Sequence, residues 1–511
     1  MSNAVTALLD ARLDGGQAGH VAVVTDARPY SYAEVGALAS RAGHAFRALG
    51  VQPEQRVALL LPDGPAWVAA FLGALRIGAV AVPMNPRLGP DEHAAILEDS
   101  RARLLVAEPA AVRALGPRLG PMPRLRILVS GGGATGEPSL EVAMGRAPDS
   151  LAAEPMRDED MALWLYTSGT TGSPKAAVHL HRDLVAGRPY AVDVLGLTPA
   201  DRVLATSRLF FAYALGTALL IPFLLGASTC LAAGWPEPLA VAETVSRHRP
   251  TILFSVPTFY ARMLRADLPP DAFRSLRFAV SAGERLPPEL HRAYRERFGL
   301  EILDGMGATE TIFMVLSNRP GRSRPGSSGT PVPGVDVRLL DGDGREAGPG
   351  EEGILHVRMA SASPFYWARV EASRRAFAGG WFRTGDVYAR DADGYYHHLG
   401  REDDRFKVAG QWVAPAQVEA ALLAHPDVAD AGVVGLADAG GLVKACAFVV
   451  ARDGAGPELA PALYRLAEHA LAPHQRPRRI LVVPELPRTA TGKLQRFRLA
   501  EAAAAAGTSE S

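Results

Sequence analysis

Thr167-Ser-Gly-Thr-Thr-Gly-Ser-Pro-Lys175 is the stretch around which this 511-residue chain is organised. Hydroxyls, two glycines and a lysine crowd together in it. The run before it, Leu163-Trp-Leu-Tyr166, is apolar and predicts a buried strand. A strand therefore opens into a loop rich in N–H and O–H donors, with a cation at its far end. Gly169 and Gly172 let the backbone bend towards a ligand. Those donors, with Lys175, suit a polyphosphate. The spacing is not that of the Gly-x-x-x-x-Gly-Lys-Ser/Thr phosphate loop, which leads into a helix. Taken alone, the stretch reads equally well as a polar surface loop.

Outward from it the chain alternates. Residues 20–25, 56–61, 79–83 and 102–107 predict strands. Residues 32–49 and 66–77 have helical spacing and stop at Gly50 and Gly78. Such alternation predicts parallel sheet covered by helices, and it continues through 203–233 and 252–256. Residues 278–283 read as a strand entering a small-residue turn before Glu284. Ile302-Leu303 leads into Asp304-Gly-Met-Gly-Ala-Thr-Glu310. Residues 131–155 read as a loop or linker. From 329 to 396 short runs separated by Asp341-Gly342, Asp343-Gly344 and Asp393-Gly394 predict an antiparallel sheet or barrel. From about Asp403 a separate small α+β unit is expected. The fold class is α/β: a large N-terminal domain of βα-layered sheets with a small antiparallel barrel-like part, then a small mobile α+β domain.

A chain this long exceeds one core. Lys+Arg and Asp+Glu number 54 each, which excludes a broad nucleic-acid or anionic-membrane surface. Cys230 and Cys446 are the only cysteines, so a disulfide framework is excluded and a reducing, cytoplasmic compartment fits. The N-terminus shows no signal-peptide pattern. Residues 209–233 carry no charge and are long enough to span a bilayer. Their Gly216, Pro222, Gly226, Ser228 and Thr229, without basic flanks, predict two buried elements around Pro222 instead. His179 and His181 alternate along an expected strand, with no third ligand at metal spacing, so zinc is not expected.

Five stretches in order carry a resemblance: Thr167–Lys175, Gly305–Glu310, Gly380-Trp-Phe-Arg-Thr-Gly-Asp386, Gly400-Arg-Glu-Asp-Asp-Arg-Phe-Lys407 and Pro487-Arg-Thr-Ala-Thr-Gly-Lys493. Together they resemble the adenylate-forming superfamily of acyl-CoA synthetases, peptide-synthetase adenylation domains and luciferases, over nearly the whole chain. Leu209-Phe-Phe-Ala-Tyr213 and Leu316-Ser-Asn-Arg-Pro-Gly-Arg322 are most similar to the benzoate-CoA ligase branch.

The resemblance implies domains 1–402 and 403–511, and a two-step reaction using ATP, Mg²⁺ and coenzyme A. A carboxylate attacks the α-phosphate, giving acyl-AMP and pyrophosphate; a thiol then displaces AMP. By the same resemblance Thr167, Ser168, Gly169, Thr170, Thr171, Gly172 and Lys175 hold the β- and γ-phosphates. Glu310 ligates Mg²⁺, Thr309 bonds the α-phosphate, and Lys493 bridges the carboxylate and α-phosphate oxygens. Asp386 takes the ribose hydroxyls with Arg401 beside it, and Asp304 takes the adenine amino group. Ala282, Gly283 and Glu284, with Gly305, Met306 and Gly307, border the nucleotide. A hinge at Asp403 exchanges Lys493 for a face carrying Lys407 and Gly410.

The implied acyl pocket is Phe211, Ala212, Tyr213, Ala308, Phe313 and Met314. No Asp or Lys lies in 209–217 to pair with an α-amino group, and aromatic walls favour a benzoate-like acid. Ala176, Met306, Phe313 and Ala409 depart from the family pattern. Phe313 stands where benzoate ligases carry histidine, which opens the pocket to another aryl or cyclic acid. Ala176 and Ala409 leave the thiol half open. The implied partners are a small carboxylic acid, with a carrier protein as the alternative acyl acceptor, and a second copy in a homodimer. The alternatives are an acyl-AMP ligase serving such a carrier, and an inactive nucleotide-binding protein, against which Lys493, Glu310 and Asp386 weigh.

Overall fold

The computed structural model describes residues 3–120, 122–132, 136–168, 174–438, 441–452, 455–488 and 494–507. Two compact units emerge. One runs up to Val337 and includes His356–Arg383; the other holds Arg338–Leu355 and the chain from Thr384. The 402/403 division implied by the resemblance is not among the boundaries between these units.

The first unit contains two large sheets. Across the six-stranded one the order is Arg126–Val129, Leu104–Ala107, Arg56–Leu60, Val80–Pro83, Met161–Ser168 and Pro174–Leu180. Its pairs are parallel except the last. Leu104–Ala107 and Val80–Pro83 are buried at every residue, as unalternating apolar strands covered on both faces must be. Across the nine-stranded sheet the order is Thr330–Pro331, Met314–Ser317, Ile302–Gly307, Phe278–Ser281, Ile252–Ser255, Arg202–Ala205, Ser228–Cys230, Val21–Val24 and Pro29–Ser31. Its centre is parallel and its two margins antiparallel.

Helix Tyr32–Ala48 starts at a capping box, with Ser31 Oγ accepting from Glu34 N and Glu34 accepting from Ser31 N. It packs on helix Pro65–Arg76, most of which is buried, through small residues. A Cβ on Gly73 would lie 2.8 Å from Ala42 Cβ, so the close approach needs glycine there. Trp67, Phe71, Phe46 and Phe223 fill the resulting core.

Two expectations need correction. Residues 212–225 form one helical run, Ala212–Leu215, a π turn Gly216–Leu220, then Ile221–Leu225. Pro222 lies inside this run, not between two elements. It lacks an N–H and would crowd the preceding turn, and the widened turn just before it gives room. The run ends at Gly226, φ 76°, ahead of strand Ser228–Cys230. Among the described residues no helix is long and apolar enough to cross a membrane. The expected linker at 131–155 contains helix Leu140–Gly145, capped by Ser139 Oγ accepting from Val142 N. It is too short to show a period, and burial of Leu140 and Met144 holds it.

A five-stranded antiparallel sheet contributes residues to both units. Its order is Asp336–Leu340, Glu352–Arg358, Trp381–Arg390 and Phe377–Ala378, with Tyr396–Arg401 also on Trp381–Arg390. Asp391 Oδ1 accepts from Asp393 N and Tyr395 N, closing the turn predicted at Asp393-Gly394.

In the second unit a hairpin joins Phe406–Val408 to Gln411–Val413. Its apex residues Ala409 and Gly410 both have positive φ, 49° and 80°, the turn that suits a two-residue hairpin. Strands Val428–Ala437, Val443–Ala451 and Arg479–Val482 form a sheet. Helices Pro415–Leu423 and Leu459–Ala470 bury one face of it. Leu499, from helix Arg496–Gly507, joins the smaller cluster on the other. Arg476 donates to Leu471 O and Glu468 O, closing the end of helix Leu459–Ala470.

Candidate active site

Strands Met161–Ser168 and Pro174–Leu180 pair antiparallel, with Thr167 opposite Lys175 and Ser168 opposite Pro174. The two ends of the hydroxyl-rich stretch are therefore held together by sheet pairing. Gly169, Thr170, Thr171 and Gly172 lie outside the described residues, and so does Lys493. The open edge of Pro174–Leu180 is covered: Val178 N donates to Phe365 O and Trp367 N to Ala176 O. This segment puts the Tyr366 ring under Lys175, whose Nζ lies 4.0 Å from the ring centroid.

Strand Ile302–Gly307 carries the next group. Asp304 is buried, and its Oδ1 has no hydrogen-bond partner. Burial raises its pKa well above the usual carboxylate range. A buried polar atom left unpaired is costly, so this oxygen is set for a ligand donor. A Cβ on Gly305 would lie 2.8 Å from Leu316 O; the backbone of the returning strand leaves room only for glycine.

Beyond Gly307 the chain folds into a tight turn. Ala308 N donates to Thr311 Oγ1 at 3.0 Å, and Phe313 N donates to Thr311 O at 2.6 Å. Ile312 between them has φ 58°, a strained conformation for a β-branched residue. Packing overrides that strain from several sides. Ser361 Oγ donates to Thr311 O at 2.7 Å and Ser363 N to Glu310 O at 2.7 Å. His179 Nε2 lies 2.9 Å from Thr309 O. A carbonyl only accepts, so the proton sits on Nε2. Asp183 stands behind, 3.4 Å from His179 Nδ1. The histidine that sequence leaves without a role thus braces Thr309.

Glu310 is 9% exposed and accepts from the Tyr366 hydroxyl at 2.6 Å. Among the described residues no basic side chain pairs with it, and no cluster of three His, Cys, Asp or Glu side chains is present. A lone buried carboxylate with one neutral donor fits Mg²⁺, which binds through one or two carboxylates plus substrate phosphates.

Strand Phe278–Ser281 sets Ser281 beside Asp304. Ala282 is buried, and Gly283 turns the chain with φ 88°. Glu284 accepts from Thr258 N at 3.2 Å and Thr258 Oγ1 at 3.3 Å, so its carboxylate caps helix Pro257–Arg265. Phe211 and Ala212 open the helical run described above. Tyr213 donates to Val280 O at 3.0 Å and Ser255 O at 3.3 Å, fixing its ring over the strand ends. Phe313 and Met314 belong to the main core. The Phe313 ring lies on Gly187, where a Cβ would sit 2.5 Å from it.

Sequence reading misses several supports. Asp63 accepts from Leu209 N at 3.2 Å, with Arg208 Nε 3.6 Å away, and so pins the start of the Leu209–Tyr213 stretch. Burial pushes Asp63 up to about 6. Tyr366, His179, Ser361 and Gly187 are also missed. For Asp63, Tyr366 and Ser361 the only signal is an acidic or hydroxyl side chain beside an apolar run, which is common, and His179 and Gly187 carry none.

In the second unit Asp386 stands opposite Arg401. Its Oδ2 accepts from Arg401 Nη1 at 3.1 Å, and His398 Nε2 lies 3.3 Å from Oδ1. Lys407 Nζ lies 4.8 Å from the centroid of the exposed Trp412 ring. Gly410 is the hairpin apex, and Asp403 is exposed.

Comparison with known proteins matches residues 11–367 to the AMP-binding enzyme family and 417–493 to the AMP-binding enzyme C-terminal domain. The benzoate–CoA ligase of Thauera aromatica is 42% identical over 98% of this chain and 96% of its own length. The 3-hydroxybenzoate–CoA ligase of Aromatoleum sp. (strain CIB) is 38% identical, covering 98% and 96%. Among solved structures, an anthranilate CoA ligase, AuaEII, in complex with anthranoyl-AMP superposes with TM-score 0.93 at 39% identity, covering 99% of this chain and 98% of that one.

Proposed function

This chain belongs to the AMP-binding enzyme family, within the adenylate-forming superfamily, and from that membership we propose that it converts an aryl carboxylic acid to its coenzyme A thioester through an acyl-adenylate. It is a carboxylate–CoA ligase using ATP, Mg²⁺ and coenzyme A. The observation that carries the reading is one strand and its turn. Ile302–Gly307 offers the unpaired, buried Asp304 oxygen, and the turn after it presents Thr309 and a lone Glu310 carboxylate under constraint. An adenine amino donor and a phosphate-bound hard cation are the chemistry those groups fit.

A carboxylate oxygen attacks the α-phosphorus, the bond to pyrophosphate breaks, and the negative charge must be met by groups already in place. Mg²⁺, held by Glu310, neutralises phosphate charge when bound. Thr309 bonds the α-phosphate, and Lys175 with Thr167, Ser168 and the loop beyond holds the outer phosphates. Asp386 takes the ribose hydroxyls; a carboxylate has lone pairs for them besides its Arg401 bond. Ala282, Gly283 and Met306 border the adenine. Lys493 serves adenylation, and Lys407 with Gly410 serves the thioester half, exchanged by rotation at Asp403. The coenzyme A sulfur then attacks the acyl carbon and AMP leaves.

Phe211, Ala212, Tyr213, Ala308, Phe313 and Met314 give a pocket for a benzoate-like ring, which apolar and aromatic walls bind by burial and stacking. Two buried free thiols fit a reducing compartment, and cytoplasmic residence belongs to the same proposal. The test is pyrophosphate release across a panel of carboxylic acids, with and without coenzyme A. Acid-dependent release, with a thioester only when coenzyme A is present, is the expected result. An adenylate that accumulates whether or not coenzyme A is present would instead identify an acyl-AMP ligase serving a carrier protein. No release with any acid would refute the activity.

A further inference from the structure

We infer that Tyr366 is a positioning residue joining the two halves of the ATP-phosphate grip, Glu310 through its hydroxyl and Lys175 through its ring face. The inference rests on the reaction proposed above and adds a residue to it. Tyr366 is 3% exposed. Its hydroxyl reaches Glu310 Oε1 at 2.6 Å, and Lys175 Nζ stands 4.0 Å from its ring centroid. Its backbone bridges to Ala177 on the strand that carries Lys175, and its N–H donates to Ser373 Oγ at 3.0 Å. The ring also packs on Phe377, centroids 5.1 Å apart. On the other side Ser363, in the same segment, donates its N–H to Glu310 O at 2.7 Å. One short segment therefore fixes the backbone of the acid and the side chains of both the acid and the lysine.

The chemistry follows from the contacts. A phenol donating to Oε1 holds the Glu310 carboxylate in one rotamer and leaves the lone pairs of Oε2 for a hard cation. A neutral donor does this without the charge that would compete with Mg²⁺. The ring face attracts the ammonium and limits the rotamers of a long flexible side chain. Tyr366 touches no reacting atom.

The experiment uses the full chain with Tyr366→Phe and Tyr366→Leu. Equilibrium ATP binding is measured by calorimetry with and without Mg²⁺. Pyrophosphate release is then titrated with Mg²⁺, and thioester formation is followed from preformed acyl-adenylate, which needs neither Mg²⁺ nor the outer phosphates. In Tyr366→Phe, the gain in ATP affinity conferred by Mg²⁺ should fall about tenfold, the worth of one hydrogen bond to a charged group, and the Mg²⁺ requirement should rise. Thioester formation from the adenylate should stay unchanged. Tyr366→Leu should weaken ATP binding further, and Lys175→Met added to it should cost less than in the Tyr background. An unchanged Mg²⁺ effect in Tyr366→Phe, or an equal fall in both half-reactions, would overturn the inference. Wild-type protein with no acid-dependent pyrophosphate release would instead overturn the reaction itself.

Discussion

His181 should make this protein sensitive to acid, by an amount its surroundings define. The residue follows strand Pro174–Leu180 and is wholly buried. Ala4 N donates to its Nδ1 at 3.1 Å, so that nitrogen carries a lone pair, and Nε2 has no partner. Burial pushes its pKa down from 6.5 to about 4, against the opposing pull of Asp160 and Asp158. The unfolded chain therefore binds the proton more tightly than the folded one. The stability from keeping His181 neutral is complete above 6.5 and is lost as pH falls towards 4. At about 1.4 kcal/mol per pH unit the whole interval is worth about 3 kcal/mol, and roughly 2 kcal/mol of it is gone by pH 5. His181→Asn puts an amide oxygen near the Nδ1 position, keeps an acceptor for Ala4 and removes the titration. Urea unfolding, followed by fluorescence of the buried Trp67 and Trp164, is measured for both proteins at pH 7 and pH 5. Carboxylates titrate in both, so the difference isolates His181. The wild type should lose about 2 kcal/mol more than the variant over that interval. Equal losses would refute the reasoning, because they would mean that the imidazole protonates in the fold as readily as in the unfolded chain.

Asp63 should act with the opposite sign. Its carboxyl is raised from 3.8 to about 6 by burial, so the fold is penalised as pH rises through that range, and Asp63→Asn should lose about 1 kcal/mol less than wild type between pH 5 and pH 7 in the same unfolding assay. Lys493→Ala should abolish acid-dependent pyrophosphate release while sparing thioester formation from preformed acyl-adenylate; equal loss of both would reject the division of labour with Lys407. Gly187→Ala places a Cβ 2.5 Å from the Phe313 ring. It should cost about 1–3 kcal/mol of stability, as overpacked cores do, and raise the KM for the acid more than that for ATP. Unchanged acid KM would remove Phe313 from the pocket wall.

Periodicity and turn chemistry made much of the architecture legible before any coordinates. Fully buried strands such as Leu104–Ala107 must be apolar at every residue, and a half-buried one such as Glu352–Arg358 must alternate, so those patterns predict their own layer. Asp304, Thr309 and Glu310 were singled out together through the resemblance, whose Gly305–Glu310 motif is local to one strand and turn. Where local signals compete, the reading failed. Pro222 looks like a divider, yet a widened turn carries it within a helix, and Leu140–Gly145 is too short to display a period.

Local composition therefore determined the elements and the class of fold, and the ordered motifs carried the resemblance from which the proposed nucleotide-binding residues come. Only tertiary structure decided what stands across from them. Tyr366 meets Glu310 from 56 residues away, His179 meets Thr309 from 130, and Asp63 meets Leu209 from 146. A hydrophobic period records which face of an element is buried and carries no information about which distant side chain arrives there. That is set when the sheets and helices pack, and it is where the constraint on the turn after Gly307 comes from.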